Sequence, residues 1–306
     1  MARINITPRW ILFGLTAQLA LRLGVLLPVG FGHGGQHTTA LDAIRVIGAL
    51  LAYGLALLIC WRMADEYREA KWMRLAWLAL TANAALSFIR PLVRSPLPLP
   101  GQDIDLYVTP PLHGLLLHLV LTPANLCLLL GLWAMWWAYR ESGLGFKLEW
   151  RDGALLGGLF VLMCVFLYFR ELLTEAQAVY RATTVLQFIG QIQLFLIAAA
   201  GLLLHRISVQ MGSGRLAVVL RWLTVYALLR LGLVLSVSLA RAAWPGRAAL
   251  ITDIADFGWQ AAPWVFALAV ACHAELTVLA AQRLAVLRQR RPAMKAPLVA
   301  DHSPNF

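Results

Sequence analysis

The chain has 306 residues, 60% of them hydrophobic and only 13% charged, with a mean hydropathy of +0.72. Soluble domains carry about 45–50% apolar and about 25% charged residues, so this composition excludes an ordinary water-soluble fold and places most of the chain in a bilayer. The net charge of +11 does not point to nucleic acid, because the basic residues are spread loop by loop and form no single basic domain with interleaved aromatics.

A membrane-crossing helix needs about 20 predominantly apolar residues. Eight such segments are expected, at 10–30, 43–60, 75–93, 112–139, 153–169, 184–205, 216–240 and 257–281. The predicted fold is all-α: a polytopic membrane helix bundle over 10–284, with a short N-terminus at 1–9 and a basic, polar tail at 285–306. Arg3 and Arg9 precede the first segment as they would a signal peptide, but Arg22 in its middle and the lack of a clear cleavage site mark a retained helix.

After that helix comes a Gly-rich loop with His33 and His37, which together with His113 and Asp103 or Asp105 form the weak candidate set for an outer copper or zinc site. The third segment carries Arg90 and leads into a proline-rich loop through Pro96, Pro98 and Pro100. In the fourth, Pro123 interrupts the backbone ladder, and Thr122 and Asn125 are placed to satisfy the freed groups.

Gly153 and Gly157 open the fifth segment with the spacing that lets another helix approach closely, within the bundle or between copies. The sixth holds Gln187, Gln191 and Gln193, the seventh Arg230, and the eighth Pro263, His273 and Glu275. Cys60, Cys127, Cys164 and Cys272 show no paired spacing and read as packing residues. The histidines lie at unmatched depths, so haem is not expected, and the candidate metal ligands lack supporting cysteines or a Met cluster. No hydrolase or phosphate-loop spacing and no catalytic residue set occurs, and the last helix has no Lys for a retinal.

With both termini inside, seventeen Lys and Arg fall in inner segments and five in outer loops, a strong positive-inside bias. This orientation and the absence of organelle signals suggest a bacterial inner membrane. A faint internal similarity, offset by about 145 positions, sets Trp61-Arg62 opposite His205-Arg206 and Trp77-Leu78 opposite Trp222-Leu223. It implies two four-helix parallel repeats, at 10–140 and 153–284.

Ionisable residues within membrane helices are costly and mark functional sites by default. Arg22, Arg90 and Arg230 fall in the outer half of their helices at about 1.5 Å per residue, and with Gln187, Gln191 and Gln193 they are expected to line a cavity for a carboxylate, phosphate or lipid headgroup. Glu275 is the expected partner of Arg230 or a coupling acid, and His273 joins the same candidate set. The competing expectation is that these arginines snorkel or bond to helix carbonyls. Three functions follow: a transporter or permease for a small anionic or amphipathic ligand; a non-catalytic subunit or sensor that docks a protein partner or lipid; and copper or redox handling at the outer face.

Overall fold

A computed structural model describes residues 7–29, 39–94, 111–143, 149–174 and 181–290. Among them are eight long helices: α1 (Pro8–Val29), α2 (Thr39–Glu66), α3 (Lys71–Arg94), α4 (Pro111–Glu141), α5 (Trp150–Thr174), α6 (Arg181–Gln210), α7 (Arg215–Ala243) and α8 (Ala248–Arg290). All eight are long and apolar enough to cross a membrane, and no strand occurs among the described residues. The candidate metal ligands His33, His37, Asp103 and Asp105 lie outside the described residues, as does the proline-rich loop.

All eight expected segments are present as helices, and the largest difference is at α8. It begins nine residues before the expected 257 and runs for 43 residues, so Asp253 and Asp256 belong to the helix itself. Pro91, Pro123 and Pro263 all sit inside continuous helices. Asn125 does not serve the backbone beside Pro123; its side-chain oxygen accepts from Arg230, and the Thr122 hydroxyl has no partner among the described residues.

Helices α2, α3, α4, α6, α7 and α8 touch in that order, and α8 returns to α2, closing a ring of six. Helix α1 packs outside the ring against α8 and α2, whereas among the described residues α5 packs against α6 alone. Helices α5 to α8 start 142, 142, 144 and 137 residues after α1 to α4, and α6 to α8 contact one another in the order of α2 to α4. The departure among the described residues is that α5 has no packing against α4 to match that of α1 against α8.

Lipid tails are as apolar as leucine, so the hydrophobic effect does not press these helices together; close approach and buried polar contacts do. Glycines provide the approach. A side chain at Gly14 would meet the Trp264 ring, one at Gly48 the Gln18 amide, and one at Gly258 the Leu233 methyls. Gln18 is the polar counterpart: its Nε2 donates to the Ile44 carbonyl at 3.3 Å and to Gln260 Oε1 at 3.2 Å, and its Oε1 accepts from the Trp264 indole. One amide thus ties α1 to α2 and α8.

Gly153 and Gly157 differ from these, because a Cβ at either would meet nothing within 4 Å. The expected use of this pair inside the bundle is therefore corrected: among the described residues no helix packs on it.

The bundle is closed at the end where α1 begins. Trp77, Tyr67 and His273 stack there, with ring centres 4.8 and 5.7 Å from His273, and the Tyr67 hydroxyl bonds His273 Nε2 at 2.9 Å. Tyr67 lies in the turn between α2 and α3, and burial, with Glu66 adding to it, pushes its phenol above the ordinary range, so it stays neutral at all physiological pH values. At the opposite end polar side chains enter the ring.

Because Gly48 faces Gln18 with no room for a methyl group, Gly48→Leu should break the α1–α2–α8 junction. A loss of about 1–3 kcal/mol, the usual range for overpacking, should appear as a lower midpoint in tryptophan-monitored thermal unfolding in detergent. Gly153→Leu should leave that midpoint unchanged.

Candidate anion cavity at the open end of the ring

Burying a guanidinium in a helix bundle at membrane depth costs about 2.5–3.5 kcal/mol or more, so each one must find compensation. The three arginines expected to act together resolve it in different ways. Arg22 is 2% exposed and pairs with Asp256, itself 6% exposed, at 3.3 Å. Its guanidinium carbon also lies 4.9 Å from the centre of the Phe257 ring. Arg22 lines neither of the two cavities in this region. Asp256 answers its charge, which sets it apart from Arg90 and Arg230, while its Nε is buried with no partner among the described residues.

Asp256 was missed in the sequence because the eighth segment was expected to begin after it. The available signal was the Asp253-x-x-Asp256 spacing, which puts two carboxylates one turn apart immediately before an apolar run.

Arg230 is 5% exposed, and no carboxylate pairs with it among the described residues. Its Nη2 donates to Asn125 Oδ1 at 2.6 Å, and its guanidinium lies 5.5 Å from the Tyr226 ring centre. The hydrogen bond crosses the ring from α7 to α4, which do not pack against each other. Arg230 Nη1 and the Asn125 amide nitrogen are buried with no acceptor. The expected partner, Glu275, is exposed and sits with the buried His273 toward the closed end of α8, so neither residue joins this site.

Arg90 is half-buried, shares a cavity wall with Arg230 and Tyr53, and makes no ion pair with a described residue. Two cavities adjoin here, and both are walled by Arg90, Arg230 and Trp259. The smaller, of about 60 Å³, also reaches Arg45, Tyr53 and Ser87. The larger, of about 320 Å³, draws its wall from α3, α4, α6, α7 and α8, and includes His118, Asn125, Gln187 and Gln191. Neither wall contains an Asp or Glu among the described residues. Arg45 is itself held by Asp42 at 2.6 Å.

Of the expected site residues, then, the structure brings together Arg90, Arg230, Gln187 and Gln191, adds His118, and separates Arg22, Glu275 and His273. Gln193 is buried but outside the cavity wall. The backbone of His113 opens α4, and among the described residues no group of three or more His, Cys, Asp or Glu stands close enough to hold a metal ion.

Chemically the cavity offers a surplus of donors. Two guanidiniums and the Asn125 amide face a space without a carboxylate, and the buried Gln191 oxygen, which has no donor, supplies one acceptor. Guanidiniums with free N–H groups in a low-dielectric site favour an oxyanion over any neutral or cationic guest.

These features define the class: an integral, multi-pass helical membrane protein with a polar cavity inside its ring. No protein family, no curated protein and no solved structure matches the chain.

The Arg22–Asp256 pair gives a test of the division between paired and unpaired arginines. Asp256→Leu strands a buried cation and should cost about 3–5 kcal/mol, whereas Arg22→Leu/Asp256→Leu together should recover most of it. Unfolding midpoints of the wild type, both single variants and the double variant provide the measurement.

Proposed function

We propose that this protein is a permease-like carrier that binds a small ligand bearing a carboxylate or phosphate in the ring cavity. Arg90 and Arg230 are its cationic donors, Asn125 holds Arg230 in place, and Gln191 and Gln187 orient the rest of the ligand. The observation that carries the reading is the buried, partnerless Arg230 Nη1 beside the partnerless Asn125 nitrogen, in a cavity whose described wall has no carboxylate. Arg22 is assigned a structural role in place of a binding one.

The parallel relation of the two four-helix halves, 10–140 and 153–284, belongs to the same proposal. The matched helix starts and the parallel contact order support it, and it places the cavity between the halves, where parallel-repeat carriers hold their substrates. An inner membrane of a bacterium with both termini inside remains the proposed setting, supported by the distribution of Lys and Arg.

A second reading, a non-catalytic subunit docked to a protein partner, is favoured by one observation: the open flank of Gly153 and Gly157 on the sparsely packed α5. Isolation in mild detergent separates the two readings, since a subunit should bring a stoichiometric partner with it.

Arg230→Leu tests the carrier reading. The variant should still insert, since it loses one hydrogen bond across the ring, but should bind the co-purifying anion at least about tenfold more weakly, a difference of about 1.4 kcal/mol. Mass spectrometry of protein isolated in native lipid nanodiscs identifies the anion. Retention of that anion by both Arg230→Leu and Arg90→Leu would remove the proposal.

A further inference from the structure

The larger cavity has a mixed lining. Arg90, Arg230, Asn125, Gln187 and Gln191 are its polar members, and Leu121, Leu194, Leu233, Val234 and Val237 are apolar ones. An inorganic oxyanion would use only the polar members. At about 320 Å³ the space is at the lower end of the roughly 300–1,000 Å³ of pockets that enclose small ligands, so it holds a headgroup but no extended chain.

Leu194 and Val234 line the cavity and also belong to a second hydrophobic cluster, apart from the main core, with Phe166, Phe195 and Leu231. Beyond this cluster lies α5. Its membrane-crossing stretch is only 11% buried, against 50% for α6, and among the described residues it packs on α6 alone.

Its attachment is also uneven. At the closed end Arg206 of α6 holds Glu149 at 2.7 Å and Asp152 at 2.5 Å, just before and within the first turn of α5. Toward the cavity the holding contacts are apolar, chiefly Phe166 on Phe195 with ring centres 6.0 Å apart. Within a bilayer, exchanging such contacts for lipid tails costs little, because no hydrophobic effect opposes it. The ion pairs therefore act as a tether about which α5 can part from α6 at cavity level.

Resting on the anion-site reading above, we infer that the ligand is an anionic amphiphile with a single chain: its carboxylate or phosphate lies between Arg90 and Arg230, and its chain leaves sideways past Leu194 and Val234 under α5. It enters from the bilayer, not from water.

The test compares one headgroup with and without a chain. Purified protein in phosphatidylcholine nanodiscs is titrated with radiolabelled 1-oleoyl lysophosphatidic acid and, separately, with glycerol 3-phosphate. The lysolipid should bind at least about tenfold more tightly, some 1.4 kcal/mol. Leu194→Trp and Val234→Trp, each filling the exit, should erase that advantage, so that within each variant the lysolipid binds no more tightly than glycerol 3-phosphate, and Arg230→Gln should weaken both. Two exit variants guard against one that fails to fold. Equal affinity for the two probes, both lost in Arg230→Gln, would overturn the sideways entry and leave the anion site standing. Binding of neither probe, or binding indifferent to Arg230, would overturn both.

Discussion

A guanidinium does not lose its proton in a protein interior, so an arginine inside an apolar bundle imposes a permanent positive charge that the surroundings must answer. Much of this molecule is arranged around that constraint. Where the answer is a carboxylate, as for Arg22 with Asp256, the result is a closed joint between α1 and α8, reinforced one turn away by the Gln18, Gln260 and Trp264 network. Where the answer is a neutral amide, as for Arg230 with Asn125, the charge is oriented but not cancelled. The first arrangement is masonry, and the second leaves a field inside the ring. The difference between them is the strongest argument for a site anywhere in the protein.

The closed end is built on other principles. Aromatic rings stack around His273, and Trp72 and Trp137 share the Glu141 carboxylate at 2.8 and 3.1 Å while Arg140 lies against Trp136 and Trp137. Amphipathic rings of this kind are found where helices leave the hydrocarbon, with one edge apolar and one polar. Tightly packed aromatics at one end and a polar cavity lined by two arginines at the other give the ring a floor and a mouth.

The number and type of the helices were legible from hydropathy and length alone, because satisfying every backbone group in a bilayer leaves only helices and closed barrels, and unbroken apolar runs of about 20 residues suit the helix. Arg90, Arg230 and Gln191 could be singled out for a related reason, since polar groups stand out against twenty apolar neighbours. Pairing could not be read. Whether Arg22 or Arg230 receives a carboxylate depends on which helices meet and at what height, and α8 starting at Ala248 and not at 257 brings Asp256 to Arg22. Glu275 was a reasonable partner for Arg230 by charge, but it stands on the exposed face of α8 toward the other end. The place of α5 outside the ring was equally hidden, because its composition resembles that of its neighbours and only tertiary packing distinguishes it.

Helix α8 has 43 residues, a length of about 65 Å, roughly twice the hydrocarbon thickness of a bilayer. From Pro263, at the cavity wall, to Arg290 it runs about 40 Å as one continuous helix. A rod of that length is a lever: a tilt of about 5° at its fulcrum in the ring displaces its tip by about 3–4 Å. Small rearrangements around Trp259 and Pro263 would therefore be reported, magnified, tens of ångströms away at the end of the helix.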